Sequence, residues 1–244
     1  MTRPQIKWIS RDDPPDAFPA VSRALRSPNG LLAAGGDLST ERLLHAYAHA
    51  IFPWFDTGQP ILWWSPDPRC VLIPANLHLS RRFQRSLKNA AFDVSFNQAF
   101  PDVITACSGK RDRHSGTWIT GEMINAYSSL HTLGWAHSVE VWAKGELAGG
   151  IYGVAIGRAF FGESMFSHVT NASKVAMLAL CRQLVAHDFA ILDCQVPSPH
   201  LMSLGATYMP RLEFASLLDT VCTARSRFDG WPRAPVAAAL LRDE

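Results

Sequence analysis

No run in the 244-residue sequence approaches the roughly 18 apolar residues of a membrane-spanning helix. The stretch from Met1 to Asp13 alternates charged and apolar residues and lacks the apolar core of about 7 to 15 residues that a secretory signal needs. The five cysteines (Cys70, Cys107, Cys181, Cys194, Cys222) are odd in number, widely spaced and without a C-x-x-C pair, so neither a disulfide framework nor a zinc knuckle is indicated. A soluble cytoplasmic protein, with no membrane contact, is expected. Net charge is also scarce: 23 Lys and Arg against 21 Asp and Glu leave +2, so any surface that meets a polyanion must be local. Tyrosine is sparse, with four residues against eight tryptophans, and five of the latter (Trp8, Trp54, Trp63, Trp64, Trp118) fall in the first half. What the chain has in quantity is hydrophobic residues, 48% of the total, enough at this length to bury a full core.

Pro4 to Asn29 reads as an irregular arm. Gly30 to Asp37 leads into a helix over about Ser39 to His49, capped by Ser39 or Asp37, with Leu43, Leu44 and Tyr47 on one face. The Pro-rich stretch Trp63 to Arg69 precedes a short strand at Cys70 to Ile73, and a domain boundary near Asp67 divides the chain into 1–67 and 68–244. Leu77 to Lys88 reads as a helix with Leu79, Phe83 and Leu87 at four-residue spacing and Arg81, Arg82, Arg85 and Lys88 around them, the one local excess of positive charge. Further helices fit Phe96 to Ser108 and Gly121 to Leu133.

From Ala136 the period changes to two, giving strands at about 137–142, 147–156 and 159–166 joined by turns at Lys144-Gly145-Glu146 and Gly157-Arg158. A helix from Asn171 to His187 follows, with Leu178, Cys181, Leu184 and Val185 inward, then a buried strand from Phe189 to Val196. This order spells an α+β fold.

Several short motifs fail on inspection. Gly30-x4-Gly35 has the spacing of a phosphate loop, but Gly36-Asp37 stands where Lys-Ser/Thr is required. Gly162-Glu-Ser-Met-Phe166 starts like a nucleophile elbow and ends in a bulky Phe. His45 and His49 lie four apart without a third ligand, so no metal is expected. Cys194 reads as a small core residue, with no neighbouring cation to favour a thiolate.

The strand Asp193-Cys194-Gln195 is more informative. Alternation on a strand places Asp193 and Gln195 on one face, and Glu163 is a second carboxylate in apolar text. If the helix from Asn171 returns the chain so that the two strands are neighbours, Glu163 and Asp193 open into one cleft, suited to a cationic substrate.

Eight blocks occur in order: Pro28-Asn-Gly-Leu-Leu-Ala33, Gly35-Gly-Asp-Leu38, Ile51-Phe-Pro-Trp-Phe55, Pro60-Ile-Leu-Trp-Trp-Ser-Pro-Asp-Pro-Arg69, Gly116-Thr-Trp-Ile119, Ala136-His-Ser-Val-Glu-Val-Trp142, Phe161-Gly-Glu-Ser-Met-Phe166 and Asp193-Cys-Gln195. Together they resemble the leucyl/phenylalanyl-tRNA–protein transferase family over about residues 18 to 215. Ala50 departs from the pattern, standing where glycine is expected.

The resemblance implies a small N-terminal domain followed by an acetyltransferase-like (GNAT-like) domain. It also implies transfer of Leu, Phe or, less well, Met from its tRNA to the α-amine of a protein that begins with Arg or Lys, marking that protein for degradation. No cofactor is expected, because aminoacyl-tRNA is already an activated ester, and a monomer is expected.

In that setting Asp193 is the candidate for collecting the amine proton, Gln195 for orienting it or donating to the ester carbonyl, and Glu163 for holding the incoming N-terminus. Ile151, Phe160, Met165, Met177 and Leu180 are candidates for the acyl pocket. Trp54 and Trp118, with Tyr47 and Tyr127 nearby, are candidates for stacking on the terminal adenosine. Arg81, Arg82, Arg85 and Lys88 would track acceptor-stem phosphates. An acyl-CoA N-acetyltransferase of the same fold is the main alternative, but Ser167 to Lys174 lacks the glycines of a pyrophosphate loop. A tRNA-binding module without catalysis is the other.

Overall fold

The computed structural model describes residues 6–87, 91–109, 119–222 and 226–241. The first part of the chain builds a four-stranded sheet from β1 (Lys7–Ile9), β2 (Leu31–Gly35), β3 (Phe52–Pro53) and β4 (Leu62–Trp64), in the order β1-β2-β4-β3. Helix α1 (Thr40–Ala48) lies between β2 and β3 in the chain, close to its expected bounds. The arm is less irregular than its Pro content suggests, because Lys7–Ile9 pairs in parallel with Ala33 to Gly35. Likewise Gly30 to Asp37 and Trp63-Trp64 contribute strands, their backbone donors satisfied across the sheet rather than locally.

The rest of the chain forms an eight-stranded sheet in the order β11-β5-β10-β9-β8-β7-β6-β12. Its elements are β5 (Arg69–Leu72), α2 (Arg81–Leu87), β6 (Asp93–Phe96), α3 (Phe100–Cys107), α4 (Gly121–Thr132), β7 (Ala136–Ala143), β8 (Glu146–Ile156), β9 (Ala159–Ser167), α5 (Ala172–Ala186), β10 (Ile191–Gln195), α6 (Pro199–Ser203), β11 (Thr207–Met209), α7 (Arg211–Val221) and β12 (Val236–Ala237). The meander β7-β8-β9, the α5 crossover and the parallel pairing of β9 with β10 follow the period change in the sequence. Two sequence expectations shift. The expected helix from Phe96 begins only at Phe100, because residues 93–96 pair with β7, and the basic helix begins at Arg81 rather than Leu77.

Helices α3 and α4 cover one face of the meander and α5 the other, so the sheet is buried on both sides. Leu178, Cys181 and Leu184 of α5 are buried as expected, whereas Val185 is 46% exposed. Leu43 and Tyr47 of α1 and Trp63 of the first sheet share a core with Val71, Phe161 and Phe214, which ties the two parts of the chain together. Among the described residues no helix is long and apolar enough to cross a membrane.

Candidate active site

The site opens where two parallel strands part. β9 and β10 pair only from Ala159↔Ile191 to Phe161↔Asp193. Beyond that point each strand carries a bulge. On β9, Gly153 faces Gly162 and Tyr152 faces Ser164, so Glu163 is the extra residue; on β10, Val71 faces Asp193 and Cys70 faces Gln195, so Cys194 is. A bulge interrupts alternation and re-aims a side chain. Gly153 allows the first of them, since a Cβ there would lie 2.2 Å from the Phe161 carbonyl oxygen.

The two bulged segments form one side of a cavity of about 340 Å³, within the range that holds small ligands. It is lined by Phe52, Pro53 and Trp54 from the first sheet, by Ile151, Glu163, Met165 and Met177, and by Leu192 to Leu201 in part, including His200. Ile151 and Met165 face each other across β8 and β9. The lining is mostly apolar, with Glu163 and Gln195 as its polar end.

Glu163 is held by three donors. The Tyr47 hydroxyl donates to Oε1 at 2.7 Å, the Tyr127 hydroxyl to Oε2 at 2.9 Å, and Gln195 Nε2 to Oε1 at 2.8 Å. The two tyrosine hydroxyls also lie against each other, and with both hydrogens given to Glu163 neither donates across that contact. Burial pushes the Glu163 carboxyl up to about 7, against the three donors, which favour the charged form. Burial, reinforced by the Glu163 charge, raises both phenols well above their ordinary value, so they remain donors. A carboxyl balanced near neutrality beside an apolar slot is matched to an α-amine, whose ordinary value is about 7.7 to 8.

Asp193 is fully buried and doubly engaged. Arg69 Nε donates to Oδ1 at 2.8 Å and Nη2 to Oδ2 at 2.7 Å, a two-pronged ion pair. Its Oδ1 also accepts the Gln195 backbone N–H at 2.9 Å. Gln195 has φ of +61°, a left-handed conformation that costs a residue with a Cβ about 1–3 kcal/mol, offset here by that hydrogen bond.

Glu163, Asp193 and Gln195 are brought together, but the Cys194 bulge breaks the expected alternation: Asp193 sits opposite Val71 and Gln195 opposite Cys70, so the two do not share one face of the strand. Asp193 is paired in the interior with the Arg69 guanidinium, and its charge adds to the burial that raises Glu163. Trp54 lines the cavity and is 41% exposed, available for stacking. Tyr47 and Tyr127 are fully buried, so they cannot stack on a base and serve Glu163 instead. Ile151, Met165 and Met177 line the slot, whereas Phe160 of β9 and Leu180 of α5 are packed in the core. Arg81, Arg82 and Arg85 are exposed on α2; Trp118 and Lys88 lie outside the described residues.

Cys194 borders the cavity, and the thiol of Cys70, then burial, raise it well above its ordinary value, away from nucleophilic use. The His45 and His49 rings stack at 4.0 Å, and among the described residues no three His, Cys, Asp or Glu are grouped to hold a metal. Sequence reasoning missed Arg69, although it closes one of the quoted blocks; nothing local in Pro68-Arg69-Cys70 shows that its side chain meets a strand more than a hundred residues away.

An α+β fold with an apolar slot ending at a carboxyl balanced near neutral pH has the make-up of a group-transfer enzyme for an amine acceptor. Residues 71–219 match the family model described as leucyl/phenylalanyl-tRNA protein transferase, and residues 36–67 match that of its N-terminal domain. A leucyl/phenylalanyl-tRNA–protein transferase of Azotobacter vinelandii is 58% identical over 202 residues, covering 83% of this chain and 89% of the relative. One from Chromohalobacter salexigens is 56% identical, covering 91% and 86%. Among solved structures, a ribosomal-protein-alanine N-acetyltransferase from Brucella melitensis biovar Abortus 2308 overlays with a TM-score of 0.35 at 12% identity, over 59% of this chain and 100% of that one. The chain belongs to the leucyl/phenylalanyl-tRNA–protein transferase family and is an aminoacyltransferase that uses aminoacyl-tRNA and protein substrates.

Proposed function

We propose that the protein moves Leu, Phe and, less well, Met from the 3′ end of tRNA to the α-amine of proteins that begin with Arg or Lys, as a cytoplasmic monomer, marking them for degradation. The observation that carries this reading is Glu163, fixed by Tyr47, Tyr127 and Gln195 at the polar end of a slot walled by Ile151, Met165 and Met177. The slot takes the unbranched-at-β acyl side chain, although one methylene is worth only about 1–3 kcal/mol of discrimination.

Glu163 meets the incoming N-terminus, and in its charged form takes a proton from the α-ammonium. The freed nitrogen forms a bond to the ester carbonyl carbon; the ester C–O bond breaks, and the ribose oxygen leaves with the second proton that the nitrogen gives up in becoming an amide. Holding amine and ester together supplies most of the acceleration, since the ester is already activated. The Gln195 amide gives one hydrogen to Glu163 and has another for the carbonyl oxygen as charge develops there. Trp54 offers a face for the terminal adenosine, with Trp118 as its sequence-suggested partner, and Arg81, Arg82 and Arg85 supply phosphate contacts.

Two features support the domain reading. One sheet ends at Trp64 and the next begins at Arg69, on either side of Asp67, and the parting of parallel β9 and β10 supports an acetyltransferase-like second domain. The test is transfer of radiolabel to a peptide beginning with Arg, with Leu-tRNA, Phe-tRNA and acetyl-CoA as donors in separate reactions. Label from the tRNAs and none from acetyl-CoA is expected; transfer from acetyl-CoA alone overturns the reading.

A further inference from the structure

Arg69 opens β5 and is 1% exposed. All three of its guanidinium nitrogens are used: Nε and Nη2 on Asp193, and Nη1, at 3.1 Å, on the carbonyl oxygen of Ala50 in the first sheet's portion of the chain. The plane lies between aromatic rings, 4.7 Å from the Phe52 centroid and 5.0 Å from that of Phe214. Such a buried pair adds little net stability over well-packed apolar residues, so its value has to be sought in the geometry it imposes.

That geometry leads directly to the reacting centre. The Asp193 oxygen that accepts from Arg69 Nε also accepts the Gln195 backbone N–H, across the β10 bulge and into a left-handed residue. Gln195 in turn donates to Glu163.

We propose that Arg69 is a positioning residue for aminoacyl transfer: by clamping Asp193 from a fixed anchor at Ala50, it holds the Gln195 backbone in the strained conformation that aims its amide at Glu163. Arg69 touches no substrate. Its effect falls on the rate of the bound complex, because a displacement of about 1 Å in a group that orients reactants costs on the order of 100-fold. The proposal rests on the transferase reading above.

Arg69→Lys tests it, because lysine keeps the charge and loses the planar fork. In the Leu-tRNA assay with an Arg-initiated peptide, kcat is expected to fall about 100-fold while both KM values change less than about threefold. The acidic limb of the pH profile is expected to move above pH 7, since a displaced Gln195 amide no longer favours the charged form of Glu163. An unchanged kcat overturns the proposal, as does a loss confined to KM or one that tracks the fraction of folded protein by circular dichroism.

Where Arg69→Lys does not fold, the charge-free double variant Arg69→Met with Asp193→Leu replaces it. Folding with a comparable loss of kcat supports the proposal; wild-type kcat, or failure to fold, overturns it. Wild-type protein that transfers nothing from aminoacyl-tRNA overturns the transferase reading and this proposal together, whereas an active wild type with an equally active Arg69→Lys variant overturns this proposal alone.

Discussion

Glu163 has two opposing influences built into its surroundings. Burial favours its neutral form, and the hydroxyls of Tyr47 and Tyr127 with the Gln195 amide favour the anion, leaving it at about 7. A carboxyl accepts a proton only in its charged form, so with Glu163 as the proposed base activity is expected to decline as pH falls through about 7. Tyr127→Phe removes a donor that lowers this value, so the acidic limb should move to higher pH by about half a unit or more, read from kcat/KM profiles. An unmoved limb would separate Tyr127 from the titrating group. The sequence made Glu163, Asp193 and Gln195 legible as polar residues in apolar strands, and it hid the division of labour among them. That division depends on Arg69, Tyr47 and Tyr127, which reach the site from three other elements, and side-chain spacing carries no record of such long-range meetings. The tyrosines could be named from the sequence, but only the burial of their rings distinguishes holding a carboxylate from stacking on a base.

At the scale of elements, the end of α1 shows how a departure in the sequence has a local physical meaning. The Ile51 N–H donates to the Ala46 carbonyl at 2.9 Å and the Ala50 N–H to that of Tyr47 at 3.1 Å, the Schellman pattern, with Ala50 at the left-handed position (φ +64°). Glycine suits that position, and an L-residue with a Cβ costs about 1–2 kcal/mol there. Ala50→Gly is therefore expected to stabilise the fold by about 0.5–1 kcal/mol, after the added freedom of the unfolded chain is offset, measured by urea denaturation. A destabilisation would mean that the buried Cβ packing outweighs the strain. The meander and α5 were readable because their periods of two and 3.6 persist for many residues. β1 and β6 were not, because three- and four-residue strands hold too few alternations and are selected by their partners, β2 and β7.

For the whole molecule, a formal charge of +2 conceals a local basic face. Arg81, Arg82 and Arg85 are exposed together on α2, while the acidic groups of the site are withdrawn into Glu163 and the Arg69-paired Asp193. Replacing the three arginines with Ala should reduce the slope of log affinity for tRNA against log salt by up to about three, one for each phosphate that is no longer neutralised. A slope equal to that of the wild type would remove α2 from the tRNA surface. The two sheets meet at the site: Tyr47 from α1 and Phe52 to Trp54 come from one, Glu163 and Gln195 from the other. The slot walls and the polar end come from the second sheet and α5, and Tyr47 with Phe52 to Trp54 completes the site from the first part of the chain. The most direct measurement is the rate of labelled leucine transfer from Leu-tRNA to three peptides that differ only at the first position: Arg, Ala and N-acetyl-Arg. Rapid labelling of the Arg peptide, at least tenfold slower labelling of the Ala peptide and none of the acetylated one is the expected result; equal labelling of Arg and Ala peptides, or any labelling of the blocked amine, would contradict the account.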